Sequence, residues 1–312
     1  MNKRFEGSIT DIKPLLVGQA QDEEAQTGVT VILCGKNGAA MGVDVRGASP
    51  GTRETDLCLP ENSAQCAHAV MLSGGSAFGL NAAAGIMDVL EKEGIGADVG
   101  VTRVPIVPAA VIFDLAAGRS DVRPDADMAR EAVRNAGKEV LQGAYGAGCG
   151  ATVGKLVYGS IPARGGVGTA SMRLADGCTV AAIVVVNAGG DVFHPHTGER
   201  LACGHMSNGE AVSVEQNLFG EIPDLLRFMG LNTTIGVVAT DAPLSKAECK
   251  RIATCGHDGL ARTIRPVHTT MDGDTLFALA TGTRAGQYSF VALCAAAAEV
   301  TARAVANAVY RE

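Results

Sequence analysis

The sequence contains no tryptophan, and aromatic residues make up only 4% of it. It also lacks a basic patch, because its 26 Lys and Arg residues are dispersed and are outnumbered by 33 Asp and Glu residues, for a net charge of −7. Proteins that bind nucleic acid neutralise its phosphates with a clustered basic face. The sequence therefore predicts that nucleic acid is not a partner.

Long apolar runs are absent as well. The run at residues 180–186, for example, has the length of a strand, whereas a membrane-crossing helix needs roughly 18 apolar residues. Residues 1–26 are polar and charged and lack the apolar core of a secretion signal. In the absence of an export signal, the nine cysteines are interpreted as reduced, small apolar residues. We therefore expect a cytoplasmic protein that does not contact a membrane.

Glycine and small apolar residues dominate what is present: 40 residues are glycine and 47% are apolar. Apolar runs typical of buried strands alternate with segments in which apolar residues recur at helical spacing. No linker interrupts this alternation, so we expect one α/β (α+β) domain over residues 1–312, with helix layers covering a sheet. Strands are predicted at residues 179–186 and 235–240, and helices at residues 125–142, 245–262 and 290–310.

Two segments suggest cofactor sites but depart from the corresponding templates. Residues 146–155 resemble a phosphate-binding loop, yet Cys149 stands where a glycine is needed and Leu156 replaces the hydroxyl residue that would hold magnesium. The three histidines between residues 194 and 205 lack the paired-ligand spacing of zinc sites. The sequence therefore predicts neither a metal nor an organic cofactor.

Residues 262–277 run from a helix end to Thr269 and Thr270, and then through Asp-Gly-Asp into a strand. Taken alone, these threonines are ordinary β-branched residues entering a strand. The segment resembles the processing site of the L-aminopeptidase/D-esterase family, which includes β-peptidyl aminopeptidases and nylon-oligomer hydrolases. Segments that resemble the family in the same order, over nearly the whole chain, are residues 73–80, 103–114, 146–155, 186–188 and 239–244.

This resemblance implies that the chain cuts itself before a Ser or Thr, which then becomes a new N-terminus. A threonine hydroxyl is a weak nucleophile until a base lies beside it, and a new α-amine, which titrates near about 7.7–8.0 in water, supplies that base. We expect cleavage between His268 and Thr269, giving chains of residues 1–268 and 269–312. Thr269 is the expected nucleophile and Thr270 its rival. His268 is a departure, since relatives often have asparagine or glycine before the nucleophile.

The resemblance also assigns roles to two residues in the middle of the chain. Asn187 matches a family asparagine whose side-chain amide stabilises the oxyanion, although a loop asparagine that binds backbone groups is the alternative. Lys155 matches a lysine that lies close to the nucleophile in the nylon-hydrolase branch, where burial would favour proton transfer. A solvated loop cation is the alternative interpretation of Lys155.

Relatives carry two polar residues, two positions apart on the C-terminal helix, that support the nucleophile. Glu299 and Thr301 are the nearest candidates on that helix, and Glu299 is taken as the catalytic one. Asp272 and Asp274 lie closer to Thr269 in sequence, and their alternative role is to shape the turn.

The resemblance implies an αββα sandwich of the ornithine acetyltransferase type and a homo-oligomer of processed subunits. The expected reaction is hydrolysis of a small amide or peptide through an acyl-threonine intermediate, without a cofactor. Two alternatives remain open at this point. One is acyl transfer of the ornithine acetyltransferase type, whose nucleophile context residues 268–271 match only in part, and the other is an uncleaved scaffold without enzymatic activity.

Overall fold

The structure is a computed structural model that describes residues 4–220 and 232–310. Within these residues, two sheets stack face to face and helices cover both outer faces. The helices are α1 (Ala83–Lys92), α2 (Ala126–Arg134), α3 (Val214–Gly220), α4 (Lys246–Thr263) and α5 (Phe290–Val309). The strands are β1 (Leu16–Asp22), β2 (Thr27–Leu33), β3 (Ala39–Val45), β4 (Thr52–Arg53), β5 (Cys66–Ala67), β6 (Ala69–Ser73), β7 (Ala97–Asp98), β8 (Arg103–Val104), β9 (Ala109–Val111), β10 (Thr152–Val153), β11 (Ala163–Arg164), β12 (Gly166–Arg173), β13 (Thr179–Asn187), β14 (Asp191–Phe193), β15 (Arg200–Ala202), β16 (Thr233–Thr240), β17 (Ile264–Arg265) and β18 (Thr275–Ala280).

The two large sheets have mixed strand directions. The first follows the order β1-β2-β6-β9-β4 and carries α1 and α2 on its outer face. The second follows the order β12-β13-β16-β18-β3-β5 and carries α4 and α5. Successive side chains point to opposite faces of a strand, so strands that are packed on both faces carry apolar residues at consecutive positions. Together the four layers form the expected αββα sandwich.

Alternation along the central strand β13 illustrates why the chain forms two core layers. Val184 packs toward the α4 and α5 layer, whereas Ile183 and Val185 pack between the two sheets. The inner layer also contains Phe277 of β18, one of the largest fully buried side chains. Because the strand is apolar on both faces, it reads as an uninterrupted apolar run in the sequence.

Most of the predicted elements are present, and one helix is shorter than expected. The Ser245–Glu248 capping box opens α4 as predicted, and α5 covers the predicted C-terminal helix. The helix predicted for residues 125–142 ends at Arg134. Gly137 instead exchanges two backbone hydrogen bonds with Val17 of β1, so pairing with the sheet edge replaces the last helical turns.

Helix α5 is long and apolar enough, by length and composition, to cross a membrane. More than half of its most apolar window is buried within the fold. Its buried face packs against α4, β12 and β13, as in the core helix of a globular domain.

Strand directions in the second sheet bring three chain segments to one edge. Strand β13 runs antiparallel to β16, and β16 runs parallel to β18. The end of β13 therefore lies beside the start of β16, which lies beside the residues that lead into β18. The polar groups at these three positions form the candidate site.

Candidate active site

Thr233, the first residue of β16, lies between two polar segments. On one side it pairs directly with Asn187, the last residue of β13. On the other side, Asn232 forms a parallel bridge with Asp272, and the Thr234 N–H donates to Asp274 Oδ1 at 2.6 Å. The site is thus assembled by sheet register from residues that are far apart in sequence.

Asn187 is fully buried, and its side chain is held from three directions. Its Oδ1 accepts hydrogen bonds from the Thr152 N–H at 3.0 Å and from Lys155 Nζ at 2.9 Å, and its Nδ2 donates to the Phe113 carbonyl at 3.0 Å. A buried amide needs such partners, since leaving them unpaired is costly. Asn187 therefore has a fixed orientation beside Thr233.

Lys155 reaches the same point from the loop after β10. Its backbone N–H binds the Gly189 carbonyl at 2.9 Å, and its Nζ also donates to the Asn187 carbonyl at 3.0 Å. Burial lowers the pKa of the Lys155 ammonium to about 7, although the nearby carboxylates of Asp272 and Asp114 act in the opposite direction. An amine that titrates near neutrality can both accept and donate a proton.

Asp272 and Asp274 are both almost completely buried. Burial raises the pKa of the Asp272 carboxyl to about 6, and the neighbouring Asp274 adds to the increase. Hydrogen bonds from Thr269 act in the opposite direction, because both its N–H and its hydroxyl donate to Asp272 Oδ2 at 2.6 Å. These two acids, two positions apart, give the site a concentrated negative charge opposite Lys155.

The peptide bond between Asn232 and Thr233 is held in a distinctive way. Its carbonyl oxygen accepts a hydrogen bond from the Gly273 N–H at 3.0 Å and a short one from the Thr233 hydroxyl. The Asn232 side chain is fully buried, and neither of its amide atoms meets a hydrogen-bond partner in the described part of the chain. A hydroxyl that contacts the preceding carbonyl, while a backbone N–H polarises that carbonyl, suits attack on the peptide bond.

Comparison with known proteins identifies the family. The model of peptidase family S58 matches residues 7–312, nearly the whole chain. The chain belongs to peptidase family S58. An uncharacterised aminopeptidase of Mycobacterium tuberculosis (strain ATCC 25618 / H37Rv) is 46% identical over 290 residues, which cover 88% of this chain and 81% of the relative.

Two further comparisons give this S58 member a hydrolase relative and a solved structure of the same fold. A 6-aminohexanoate-oligomer endohydrolase of Paenarthrobacter ureafaciens is 33% identical over 282 residues, covering 87% of this chain and 74% of the relative. The solved L-aminopeptidase D-Ala-esterase/amidase of Ochrobactrum anthropi superposes with a TM-score of 0.69 at 19% identity, covering 99% of this chain and 88% of that one. That enzyme is described as a prototype for the serine aminopeptidases and a variant of the Ntn hydrolase fold. The family resemblance inferred from the sequence is therefore confirmed, as is the fold.

The structure brings some of the predicted site residues of this S58 member together and separates others. Asn187 and Lys155 are in direct contact. Thr269 lies on a turn near them, but its hydroxyl binds Asp272. Thr270, its rival, is exposed and accepts a hydrogen bond at its carbonyl from Ser49.

Glu299 belongs to a different cluster. Its carboxylate pairs with His196 at 2.6 Å and with Arg262 and Arg303 at 2.8 Å each, and these three hydrogen bonds lower its pKa to about 2 although burial opposes them. Thr301, two positions along, donates to the Ala297 carbonyl within the same helix. Across residues 4–220 and 232–310, the contacts of Glu299 therefore hold α5 to α4 and to the loop after β14 rather than to Thr269.

The histidine loop also has structural contacts. His194 and His196 pack around the Phe5 ring, and the His205 backbone pairs with Ile161. No group of three His, Cys, Asp or Glu side chains is placed to hold a metal ion among the described residues.

Sequence reasoning missed Thr233, Asn232 and the connection of both to the acidic pair. A usable signal was present, because an Asn-Thr pair, Asn232 and Thr233, stands just before the predicted strand 235–240. The link to Asp272 and Asp274 depends on β16 pairing with β18, which lies across a helix in sequence. That pairing is visible only in the folded chain.

Proposed function

We propose that this S58 member is a self-processing aminopeptidase or amidase that cuts itself between Asn232 and Thr233. Thr233 is then the N-terminal nucleophile of a chain of residues 233–312. The single observation that carries this proposal is the Asn232 carbonyl, which the Thr233 hydroxyl and the Gly273 N–H both contact. Thr269 was the nucleophile predicted from the sequence. The geometry favours Thr233, because Thr233 pairs with Asn187 and the preceding residue, Asn232, bridges to Asp272.

Self-cleavage begins with attack of Thr233 Oγ1 on the Asn232 carbonyl carbon. The new C–O bond forms as the Asn232–Thr233 C–N bond breaks, and the hydroxyl proton passes through the Lys155 amine to the departing nitrogen. The Gly273 N–H stabilises the negative charge that develops on the carbonyl oxygen. Water then hydrolyses the ester, which leaves a carboxylate on Asn232 and a free α-amine on Thr233.

In the processed enzyme, the Thr233 α-amine accepts the proton of its own hydroxyl when Oγ1 attacks a substrate amide. The substrate acyl group is transferred to Thr233, and the amine product leaves with that proton. Water then releases the acid. Lys155 and the Asp272–Asp274 pair set the charge around the α-amine, and Asn187 holds Lys155 in place.

We propose a small amide or a peptide with a free amino end as the substrate. The support is the names of the relatives, which include aminopeptidases and an oligomer hydrolase. Hydrolysis of aminoacyl p-nitroanilides and of 6-aminohexanoate oligomers tests this class. Exclusive acyl transfer to ornithine, without hydrolysis, would favour the acyltransferase alternative. We also propose that the protein is cytoplasmic and forms a homo-oligomer of processed subunits. Light scattering of the purified protein would test the oligomer.

Intact-mass measurement of the purified protein tests the cleavage site. We expect two fragments, residues 1–232 and 233–312, in the wild type and in Thr233→Ser, and an uncut chain in Thr233→Ala. Thr234→Val is the matched control, because Thr234 is the adjacent buried threonine and its hydroxyl has no partner in the described residues. Fragments that divide between His268 and Thr269 would restore Thr269 as the nucleophile. A wild-type chain that stays uncut would reject self-processing.

A further inference from the structure

We propose that His268 and Thr269, named here the carboxylate clamp, position the acidic pair Asp272 and Asp274 beside the start of β16. Thr269 is then a positioning residue, and its hydroxyl acts through Asp272. This inference rests on the proposed role of Thr233.

The clamp consists of four donor groups on two consecutive residues. The Thr269 N–H and hydroxyl both donate to Asp272 Oδ2 at 2.6 Å. The His268 N–H and ring Nδ1 both contact Asp274 Oδ2, at 3.1 Å and 2.8 Å. Each residue therefore holds one carboxylate through its backbone and its side chain together. Charged acceptors make the stronger class of hydrogen bond, so this arrangement favours the ionised acids.

The backbone of the clamp adopts a conformation that side chains rarely allow. His268 has a φ of 57°, in the left-handed region that favours glycine. Such a conformation persists where the surrounding contacts determine it, and it often marks a functional position. Here it occurs at the residue that directs an N–H and a ring nitrogen to the same carboxylate oxygen.

Asp272 and Asp274 in turn contact the residues around Thr233. The second oxygen of Asp274 accepts the Thr234 N–H at 2.6 Å. The backbone of Asp272 bridges to that of Asn232. The clamp thus contacts the acids, and the acids contact the residues on both sides of the proposed nucleophile.

The charged groups that face Asp272 decide the expected pH response. Burial raises the pKa of Asp272 most, Asp274 from the same loop adds to the increase, and Thr269 and His268 of the clamp lower it. Lys155, from the loop after β10, also faces it. Behind the clamp, His257 of α4 packs against the His268 ring at 4.8 Å and binds the Asp44 carbonyl of β3 at 2.9 Å. Burial lowers the pKa of His257 to about 4, so this neighbour is uncharged at neutral pH.

The variant Thr269→Val removes the hydroxyl and keeps the backbone N–H and the side-chain shape. We expect the full chain still to divide between Asn232 and Thr233, but roughly tenfold more slowly, because a hydrogen bond to a charged group is lost. The acid limb of aminoacyl p-nitroanilide hydrolysis should move to higher pH, since loss of this donor raises the pKa of Asp272. Thr269→Ser should restore both the self-cleavage rate and the position of the acid limb of hydrolysis. Thr270→Val is the matched control at the exposed neighbouring threonine and should match the wild type.

His268→Asn provides a second, independent variant. Asparagine tolerates a positive φ and carries a donor, so we expect it to retain more activity than His268→Ala, which lacks both properties. Wild-type cleavage and an unchanged pH profile in Thr269→Val would overturn the clamp, as would equal losses in Thr269→Val and Thr269→Ser. An uncut Thr269→Val chain, together with continued cleavage in Thr233→Ala, would overturn the proposed function as well. An uncut Thr233→Ala chain with wild-type behaviour of Thr269→Val would overturn the clamp alone.

Discussion

Thr233 lies directly opposite Asn187 in the antiparallel pair of β16 and β13. Side chains at such positions share one face of the sheet, with Cβ atoms about 4.5–5.5 Å apart. Because Asn187 also binds Lys155 at 2.9 Å, the hydroxyl, the amide and the amine meet at one end of the central strands. None of the three is close to another in sequence.

The depressed pKa of Lys155 predicts the pH dependence of self-cleavage. Burial lowers that pKa to about 7, so the neutral amine, which accepts the hydroxyl proton, accumulates as pH rises through 7. We expect the cleavage rate to rise across this range. Intact mass, followed over time after uncut denatured chain is refolded by rapid dilution, measures this rate. Lys155→Arg should slow cleavage by roughly 10²-fold or more and remove the rising limb, because guanidinium stays charged. Lys250→Arg on the exposed face of α4 is the control. A Lys155→Arg chain that cuts normally would exclude this role.

Loss of the Asn187 side chain is expected to weaken both the fold and the reaction. Asn187→Ala leaves the Thr152 N–H and the Phe113 carbonyl without this partner, and it removes the side-chain acceptor of Lys155 Nζ while the backbone acceptor remains. We expect the free energy of unfolding in urea to fall by about 1–3 kcal/mol. Self-cleavage should slow by a larger factor than the stability loss alone explains. A chain that is destabilised but cuts at the wild-type rate would restrict Asn187 to a structural role.

Local sequence pattern predicted the secondary structure near the site better than the site itself. The capping box of Ser245 and Glu248 and the apolar run of β13 depend on neighbours in sequence, and both are present in the structure. The prediction for the last part of the helix at residues 125–142 was wrong, because Gly137 pairs with β1 although the apolar residues around it recur at helical spacing.

The candidate site depends on contacts that no local pattern encodes. For Asp272 the sequence left open a catalytic role and a role in shaping the turn, and its relation to Asn232 arises when β18 docks parallel to β16. Asn187 and Lys155 were found through the family resemblance, and the contact between them is visible only in the folded chain. Thr269 drew attention because it lies in a family segment, although what distinguishes Thr233 is the polarised carbonyl before it.

Asp272 is predicted to reduce stability at neutral pH. Its folded pKa of about 6 lies above the ordinary carboxyl value, so its stabilising contribution is complete below about pH 4 and is lost as pH rises through 6. Asp272→Asn avoids this loss, and we expect the variant to gain on the order of 2 kcal/mol at pH 7.5 while its cleavage slows. Thermal unfolding at pH 4 and pH 7.5 measures the difference, with Asp258→Asn as the exposed control. Equal stability changes at both pH values would contradict the assignment.

Gly273 is expected to be necessary for the geometry of the scissile bond. A Cβ at this position would lie 2.9 Å from Thr233 Oγ1 and 2.7 Å from the Ser49 carbonyl oxygen, so the hydroxyl or the turn must move. The Gly273 N–H that polarises the Asn232 carbonyl would move with it. Gly273→Ala should therefore slow self-cleavage between roughly tenfold and a hundredfold, since small displacements of reacting groups are costly. Gly137→Ala is the matched control, because a Cβ there meets nothing within 4 Å. Equal cleavage half-times for the two variants, followed by intact mass, would mean that the Thr233 hydroxyl does not depend on this turn.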